Sequence, residues 1–225
     1  MNAIILAAGM GTRLRPLTNE IPKCMVTVCG VPMVERQIMF LHEIGVKDIT
    51  LVSGYKAAAL DYLKEKYSVD IVYNDKFETC NNIWSMYLVR DRLKDTYVLE
   101  GDVFLNRNYL KPSMDHSAYF SVKKDHYERE WGLLVDSDNR LLDIVPGDGQ
   151  GYIMSGISYW TASDSAKIVK ALEDRIAAGG YDDLFWDNIV LDIYKNLSVS
   201  VIETSDIYEI DTVAELHAVE KEIGL

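Results

Sequence analysis

Strand-like and helix-like patterns of apolar residues alternate through the first hundred positions of the chain. Short, nearly continuous apolar runs predict strands over 3–8, 48–53, 69–73 and 96–99. Apolar residues that recur every three or four positions predict helices over 31–44, 57–67 and 81–93. This alternation of strand and helix is typical of a parallel sheet flanked by helices.

The pattern becomes less regular in the second half of the chain. β-rich stretches are separated by polar turns and lie at 118–122, 131–135 and 152–160, which indicates an antiparallel β insertion over the sheet. Further helices are predicted over 164–177, 184–194 and 213–223, with a strand over 198–202. We find no repeat and no linker. The sequence therefore predicts one α/β domain over 1–225, with a Rossmann-like, mixed but mostly parallel sheet.

The composition limits the classes of partner. The 225 residues include 23 Lys and Arg against 35 Asp and Glu, which gives a net charge of −12. Such a chain repels a phosphodiester backbone, so we expect no nucleic-acid partner, whereas a small phosphorylated ligand needs only a local positive pocket. No apolar run approaches the roughly 18 residues that span a bilayer, and the three cysteines form no C-x-x-C pair. We therefore expect a cytoplasmic protein that does not insert into membranes.

The segment after the first predicted strand carries the most specific motif of the chain. Gly9 and Gly11 stand within L-A-A-G-M-G-T-R-L-R-P-L-T at 6–18, and Lys23 follows soon after. A glycine-rich turn at this place exposes backbone N–H groups that can wrap phosphates, and Arg13 and Lys23 add positive charge. The segment is not a G-x-G-x-x-G dinucleotide fingerprint, because leucine stands where the last glycine would be. It is not a Walker A loop either, because no G-K-[ST] follows.

This pattern resembles the signature of the nucleotidyltransferases that activate sugar phosphates and alcohol phosphates. The resemblance implies that the loop holds a nucleoside triphosphate, that Arg13 steadies its phosphates and that Lys23 contacts phosphate at the reacting centre. The nucleotide contacts implied in the loop are Leu6, Ala8, Gly9, Gly11, Thr12 and Arg13.

Acidic residues at two distant points of the sequence are candidates for holding a divalent cation. Asp102 follows Gly101 directly after the predicted strand over 96–99, at the edge of the sheet where ligands of open α/β folds bind, and a carboxylate there suits Mg²⁺. The family resemblance implies a metal ligand at Asp102 and a second acidic ligand near the C-terminus, for which we take Asp211. Alternation in an extended segment points Glu209 to the same side as Asp211. An N-terminal cap of the last helix is the alternative role for Asp211.

Aromatic and acidic residues occur together in the second half of the chain. The segments 130–131, 183–188 and 207–211 resemble those of bacterial CTP:phosphocholine cytidylyltransferases, whose acceptor carries a quaternary ammonium. Trp faces can hold such a cation by roughly 0.5 to 2 kcal/mol per contact, and carboxylates add electrostatic attraction. The acceptor contacts predicted in this way are Trp131, Tyr159, Asp183, Trp186, Asp187, Tyr208 and Glu209. Core packing is the alternative role for each aromatic residue.

The closer resemblance extends over nearly the full chain and also concerns the base and the acceptor. Recognition of cytosine and further nucleotide contacts are assigned to Ser53, Gly54, Tyr55, Asn82 and Gly101. Glycine at 132 departs from the phosphocholine enzymes, in which the resemblance implies a bulkier residue after the tryptophan. A pocket widened or reshaped there leaves 2-aminoethylphosphonate and phosphoethanolamine as alternative acceptors.

The reaction implied by the resemblance is Mg²⁺-dependent transfer of CMP from CTP to phosphocholine, with release of pyrophosphate. Residues 1–102 would form the nucleotide-binding half of the domain and 103–225 the acceptor-binding half. The catalytic residues implied are Lys23, Arg13, Asp102 and Asp211. No general base is required, because the acceptor oxygen is already ionised. A sugar-1-phosphate nucleotidyltransferase and a nucleotide-binding module without turnover are the alternatives, and the oligomeric state stays open.

Overall fold

A seven-stranded sheet forms the centre of the protein in the computed structural model, which describes residues 1–224. The strands in chain order are β1 (Asn2–Ala7), β2 (Thr27–Val28), β3 (Val31–Pro32), β4 (Ile49–Ser53), β5 (Asp70–Tyr73), β6 (Thr96–Glu100), β7 (Val103–Leu105), β8 (Ser117–Val135), β9 (Leu141–Trp160), β10 (Val199–Thr204) and β11 (Ile207–Glu209). The α-helices are α1 (Met33–Glu43), α2 (Tyr62–Tyr67), α3 (Asn82–Leu88), α4 (Ala162–Ala178), α5 (Asp187–Ile193) and α6 (Val213–Glu222). Short 3-10 helices cover Thr12–Leu14, Leu17–Asn19, Lys23–Met25, Ala57–Leu60, Arg90–Arg92 and Tyr194–Asn196.

The central sheet is mixed and mostly parallel, as predicted. Its strand order is β10-β8-β9-β6-β1-β4-β5. β9 is antiparallel to both of its neighbours, β8 and β6. The other four neighbouring pairs are parallel.

Alternate residues of β1 supply two hydrophobic cores on opposite faces of the sheet. Ala3 and Ile5 pack on one face with the apolar stripe of α1 and with residues of α2. Ile4 and Leu6 pack on the other face with α3, α4 and α5. Because both faces are covered by helices, every residue of β1 is buried, which explains its continuous apolar pattern.

A third, smaller core fixes the segments that carry chemistry. Leu14 from the glycine-rich loop packs in it with Phe104 of β7, Ile210 and Leu216 of α6. The loop near the N-terminus and the acidic segment near the C-terminus are therefore anchored in the same cluster of buried side chains.

Several predicted helices begin later or end earlier than the hydrophobic pattern indicates. The helix predicted over 31–44 begins at Met33, because Val31–Pro32 pairs with β2 as a short antiparallel strand. The segments predicted as helices over 57–67 and 81–93 each combine a 3-10 turn with a short α-helix. Apolar spacing alone does not distinguish these two kinds of helix.

The predicted antiparallel insertion is one long hairpin whose base belongs to the central sheet. The stretches predicted separately at 118–122 and 131–135 are parts of the single strand β8, and β9 is continuous from Leu141 to Trp160. The pattern of apolar residues does not predict this pairing, because residues 123–130 are mostly polar and β9 contains several glycines. Bulges also shift the register along the hairpin. Among residues 1–224, no helix is long and apolar enough to cross a membrane.

Candidate active site

The site lies at the carboxyl ends of β1 and β6, which are adjacent and parallel. The glycine-rich loop leaves β1 here and turns at Gly11, whose φ of +58° is in the left-handed region. A Cβ at Gly11 would lie 2.8 Å from the Cβ of Lys23. Glycine is therefore needed both for the turn and for the close approach of Lys23 to the loop.

The pairing of two short strands brings the C-terminal acidic segment to the same edge. β11 runs antiparallel to β7, with Glu209 opposite Val103. The backbone N–H of Ile210 then donates to the carbonyl oxygen of Asp102 at 3.2 Å. Asp211 is thus placed beside Asp102 although 108 intervening residues separate them in the sequence.

Ion pairs connect the loop to both carboxylates. Lys23 Nζ donates to Asp102 Oδ2 at 2.6 Å and to Asp211 Oδ1 at 2.5 Å. Arg13 contacts the other oxygen of Asp211 at 2.8 Å. Burial by itself lowers the pKa of Lys23, but Asp102 and Asp211 more than offset it, so the pKa lies above its ordinary value. Lys23 is therefore an ammonium throughout the neutral range.

A pocket of about 360 Å³ opens on the loop side of this ionic centre, and we call it the loop pocket. The predicted residues that line it are Leu6, Ala8, Gly9, Gly11, Thr12, Arg13, Lys23, Asn82, Asp102, Glu209 and Asp211. The loop pocket therefore takes residues from both halves of the chain.

A second pocket of about 530 Å³ adjoins the first, and we call it the tryptophan pocket. The predicted acceptor residues that line it are Trp131, Trp186, Asp187 and Glu209. Both pockets share Arg13 and Asp211, so both open onto the ionic centre.

The floor of the tryptophan pocket is held by aromatic packing and one carboxylate. Tyr119 and Trp186 each pack edge-to-face against the buried Trp160, with ring centroids 5.4 and 5.9 Å apart. Tyr119 donates its hydroxyl proton to Asp187 Oδ1 at 3.1 Å. Burial raises the pKa of Asp187 to about 7, even though the hydrogen bond from Tyr119 lowers it. This carboxyl group therefore changes charge near neutral pH.

Two further carboxyl groups lie between the pockets. Desolvation by the surrounding atoms, followed by the charges of Asp102 and Asp211, raises the pKa of Glu209 to about 7, although part of its side chain is exposed. Glu100 lines both pockets, and burial together with Asp102 and Asp187 raises its pKa well above the ordinary value. The wall between the pockets therefore crowds several carboxyl groups, whose mutual repulsion adds to the effect of desolvation on their pKa values.

Three predicted acceptor contacts lie outside the tryptophan pocket. Tyr159 is a core residue that packs against Tyr97 and donates to Asp95, at the opposite end of β6. Asp183 is exposed. The ring of Tyr208 packs against the ring of Phe104, and its hydroxyl donates to Glu222 of α6. Aromatic and acidic composition does not report which way a side chain points, so the sequence did not separate these three residues from the four that line the pocket.

Four predicted nucleotide contacts also do not line the loop pocket in the described part of the chain. Ser53 is buried and donates to the carbonyl oxygen of Val72 at 3.4 Å. Tyr55 donates to the carbonyl oxygen of Thr18 at 2.9 Å, which ties its own loop to the glycine-rich loop. Gly54 and Gly101 are packed beneath the loop and the end of β1.

Gly132 proves to be a packing residue. An added Cβ there would collide with the hydroxyl of Tyr127, which also lies against Gly149. The tyrosine therefore occupies the space that a side chain at this position would take. Gly132 itself does not line the tryptophan pocket as residues 1–224 form it. Gly132 therefore adds no space of its own to this pocket, and the choice between phosphocholine and the two alternative acceptors stays a prediction.

Sequence reasoning missed several residues of the site. Glu100, Tyr119 and Phe185 line the pockets, and Phe185 is shared by both. Glu100 directly precedes Gly101 and ends β6. Its place at the end of a buried strand is the same signal that identified Asp102. For Tyr119 the sequence carries no such signal, since it lies within an ordinary strand.

The carboxylates at the centre fit a divalent metal ion. Oxygen atoms of Asp102, Glu209 and Asp211 lie within 4.8 Å of one another. Asp102 Oδ1 is buried and has no hydrogen-bond partner among residues 1–224. An all-oxygen carboxylate set is what Mg²⁺ prefers. The alternative role of Asp211 as a helix cap is wrong, because Thr212 caps α6 in a capping box with Glu215.

Known proteins resemble this chain in sequence and in fold. A family model described as Nucleotidyl transferase matches residues 2–209. The choline-phosphate cytidylyltransferase of Streptococcus pneumoniae is 44% identical over 98% of this chain and 97% of the relative. The 2-aminoethylphosphonate cytidylyltransferase of Lancefieldella rimae is 35% identical over 96% of this chain and 91% of the relative.

A solved structure of CTP:phosphocholine cytidylyltransferase from Streptococcus pneumoniae matches the fold. Its TM-score is 0.97 at 43% identity, over 99% of this chain and 98% of that chain. The likeness extends along nearly the full length of both chains, so it includes the edge of the sheet where the two pockets meet. The chain therefore belongs to the nucleotidyl transferase family and is a nucleotidyltransferase enzyme.

Proposed function

We propose that this enzyme transfers CMP from CTP to phosphocholine and releases pyrophosphate. The observation that carries the proposal is the tryptophan pocket, in which two indoles and several carboxylates adjoin the ionic centre. A pocket of this kind suits a cation joined to a phosphate, because its aromatic faces attract the ammonium while Arg13 and Lys23 attract the phosphate. The names of the cytidylyltransferase relatives support the same choice of nucleotide.

We further propose Mg²⁺ as the cofactor, held by Asp102 and Asp211, with Glu209 beside them. When bound, the ion would neutralise phosphate charge and orient the reacting oxygens. The unpartnered oxygen of Asp102 supports this assignment.

Lys23 and Arg13 are proposed to exchange one set of anions for another. In the ligand-free protein they pair with Asp102 and Asp211. A triphosphate in the loop pocket would offer them phosphate oxygens as new acceptors, since Arg13 and Lys23 line that pocket. Arg13 then holds the phosphates, and Lys23 stabilises charge where the acceptor oxygen attacks the α-phosphorus.

The residues of the site orient the two substrates, and none of them has to act as a general base. The acceptor phosphate is already ionised, so no proton has to be removed from the attacking oxygen. Holding the acceptor cation in the tryptophan pocket directs its phosphate at the ionic centre, and this gain in proximity accounts for a large part of the rate.

Trp131→Ala is expected to raise the KM for phosphocholine by about tenfold and to leave the KM for CTP unchanged. The reason is the loss of one aromatic face, which is worth roughly 0.5 to 2 kcal/mol. Steady-state kinetics with each substrate varied in turn measures the effect. Tyr159→Phe is the control, because Tyr159 lies in the core away from both pockets. An equal rise in both KM values would contradict a role in acceptor binding.

The affinity for the acceptor is expected to rise as the pH increases from about 6 to 8. Asp187, whose pKa is raised to about 7, is neutral below that pH and becomes a carboxylate above it. Only the carboxylate attracts an ammonium. Glu209 and the phosphate of the acceptor titrate in the same range, so the test compares the profile of 1/KM with that of Asp187→Asn. The variant should show a flatter profile, and two superimposable profiles would exclude Asp187.

The function is tested by measuring pyrophosphate release with Mg²⁺ and either CTP or UTP. The acceptors to compare are phosphocholine, 2-aminoethylphosphonate, phosphoethanolamine and glucose-1-phosphate. The proposal predicts the highest kcat/KM for CTP with phosphocholine. A preference for 2-aminoethylphosphonate would keep the reaction and change the acceptor, whereas a preference for the sugar phosphate would overturn the assignment of the tryptophan pocket.

A further inference from the structure

Asn82 lines the loop pocket, but its side-chain amide is bonded to the protein at both ends. Its Oδ1 accepts the backbone N–H of Trp186 at 2.8 Å. Its Nδ2 donates to Glu100 Oε1 at 3.2 Å. The two bonds fix the orientation of the amide and use one lone pair of Oδ1 and one of the two protons of Nδ2. The amide therefore has a role within the protein beside the base contact predicted from the sequence.

Both partners of Asn82 belong to the tryptophan pocket. Trp186 immediately precedes α5, so its N–H has no partner within that helix. Asp187, the first residue of α5, follows it and lines the same pocket. Glu100 forms part of the wall that the two pockets share. One side chain at the start of α3 thus fixes the backbone that presents an aromatic and an acidic residue to the acceptor.

A second link supports the same connection. The backbone N–H of Asn81 donates to the carbonyl oxygen of Asp182 at 2.7 Å. The side-chain Nδ2 of Asn81 also donates to the carbonyl oxygen of Asp183, at 3.5 Å. The start of α3 and the segment before α5 are therefore joined through the backbone of Asn81, through its side chain and through the amide of Asn82. The backbone bond survives any substitution at 82, so loss of the amide should shift the segment without releasing it.

We infer that Asn82 is a positioning residue for the acceptor, although it lines the nucleotide pocket. The inference rests on the proposed function, because it assigns the tryptophan pocket to the acceptor. The amide sets the position of Trp186 and Asp187 relative to the reacting centre. Loss of the amide displaces the bound acceptor from its line of attack and leaves the phosphate contacts of CTP in place.

Asn82→Ala and the control Tyr87→Phe test this inference. Tyr87 also lies on α3, but it lines neither pocket as residues 1–224 form them, and phenylalanine keeps the ring that stacks on Trp84. For Asn82→Ala, we expect kcat/KM for phosphocholine to fall by about ten- to a hundredfold, as a small misplacement of a reactant does. The dissociation constant of α,β-methylene-CTP, measured by isothermal titration calorimetry, should change by less than about twofold. Tyr87→Phe should leave kcat/KM for phosphocholine near the wild-type value.

A double-mutant cycle with Trp186→Phe separates positioning from general damage. If Asn82 acts through Trp186, the combined variant loses less than the product of the two single effects. Strictly multiplicative losses, or a weaker binding of the CTP analogue with unchanged acceptor kinetics, would overturn the inference. Circular dichroism melts of each variant show whether it folds. Should Asn82→Ala not fold, Asn82→Ser replaces it in the same cycle.

Failure of the proposed function gives a different result from failure of the inference. The wild-type protein is assayed first, and absence of cytidylyl transfer by it rejects the function. The inference is then decided by calorimetry with phosphocholine in the presence of α,β-methylene-CTP. Weaker phosphocholine binding by Asn82→Ala than by wild type would support it. Equal binding, or no phosphocholine binding by wild type, would overturn it.

Discussion

Replacing Lys23 with alanine is expected to lower turnover by about 10²- to 10³-fold, which is the usual loss when one preorganised charge at the reacting atoms is removed. The dissociation constant of CTP should change far less, because Arg13 and the backbone of the glycine-rich loop keep their phosphate contacts. Lys23 Nζ lies within 2.6 Å of the carboxylates of Asp102 and Asp211. Rapid-quench measurement of CDP-choline formation, combined with calorimetry for the nucleotide, gives the two quantities.

The comparison for this variant is Lys64→Ala, which removes an exposed ammonium paired with Asp61 away from the site. Its turnover should equal that of wild type. Lys23→Ala also leaves Asp102 and Asp211 facing each other without their ammonium, so its melting temperature should fall and should recover in part with Mg²⁺. Unchanged turnover by Lys23→Ala would remove Lys23 from the reacting centre.

Replacing Asp102 with asparagine is expected to lower turnover by at least about 10³-fold and to abolish the stabilisation of the protein by Mg²⁺. Asparagine keeps the size of the side chain and removes the charge that a hard cation requires. Turnover is measured with CTP and phosphocholine. Metal binding is measured separately, as the shift in melting temperature when Mg²⁺ is added without substrates.

Asp183→Asn is the matched control for the carboxylate at Asp102. The sequence placed Asp183 in the acceptor pocket, and the structure places it in solvent. It should therefore behave as wild type in both measurements. If Asp102→Asn keeps both its turnover and its Mg²⁺-dependent shift, the metal assignment is wrong.

Local chemistry made much of the site predictable. The turn at Gly11 and the charge of Lys23 are features of a short continuous segment, and the structure brings that segment to the end of β1 as expected. Asp102 could be found in the same way, because the end of a buried strand marks the edge of the sheet where ligands bind.

The acceptor side was harder to predict because it depends on register and side-chain direction. Trp186 and Tyr159 are both buried aromatic residues, yet one lines the tryptophan pocket and the other packs at the far end of β6. The pairing of β8 with β9 is shifted by bulges, so simple alternation does not report which residues face the pocket.

The roles of Asn82 and Gly132 depend on partners that are distant in sequence. Asn82 is bonded to Trp186, 104 residues away. Gly132 is small because Tyr127 folds back over it within an irregular hairpin. Neither relation has a signature in the pattern of apolar and polar positions, since both arise only when the tertiary structure forms.

Attack of the acceptor oxygen on the α-phosphorus of CTP is tested by ³¹P NMR of a reaction with CTP, Mg²⁺ and phosphocholine labelled with ¹⁸O on its phosphate. We expect CDP-choline that retains the label, with unlabelled pyrophosphate as the second product. Unreacted CTP, or its hydrolysis to CMP and pyrophosphate with phosphocholine left unchanged, would overturn the proposed reaction.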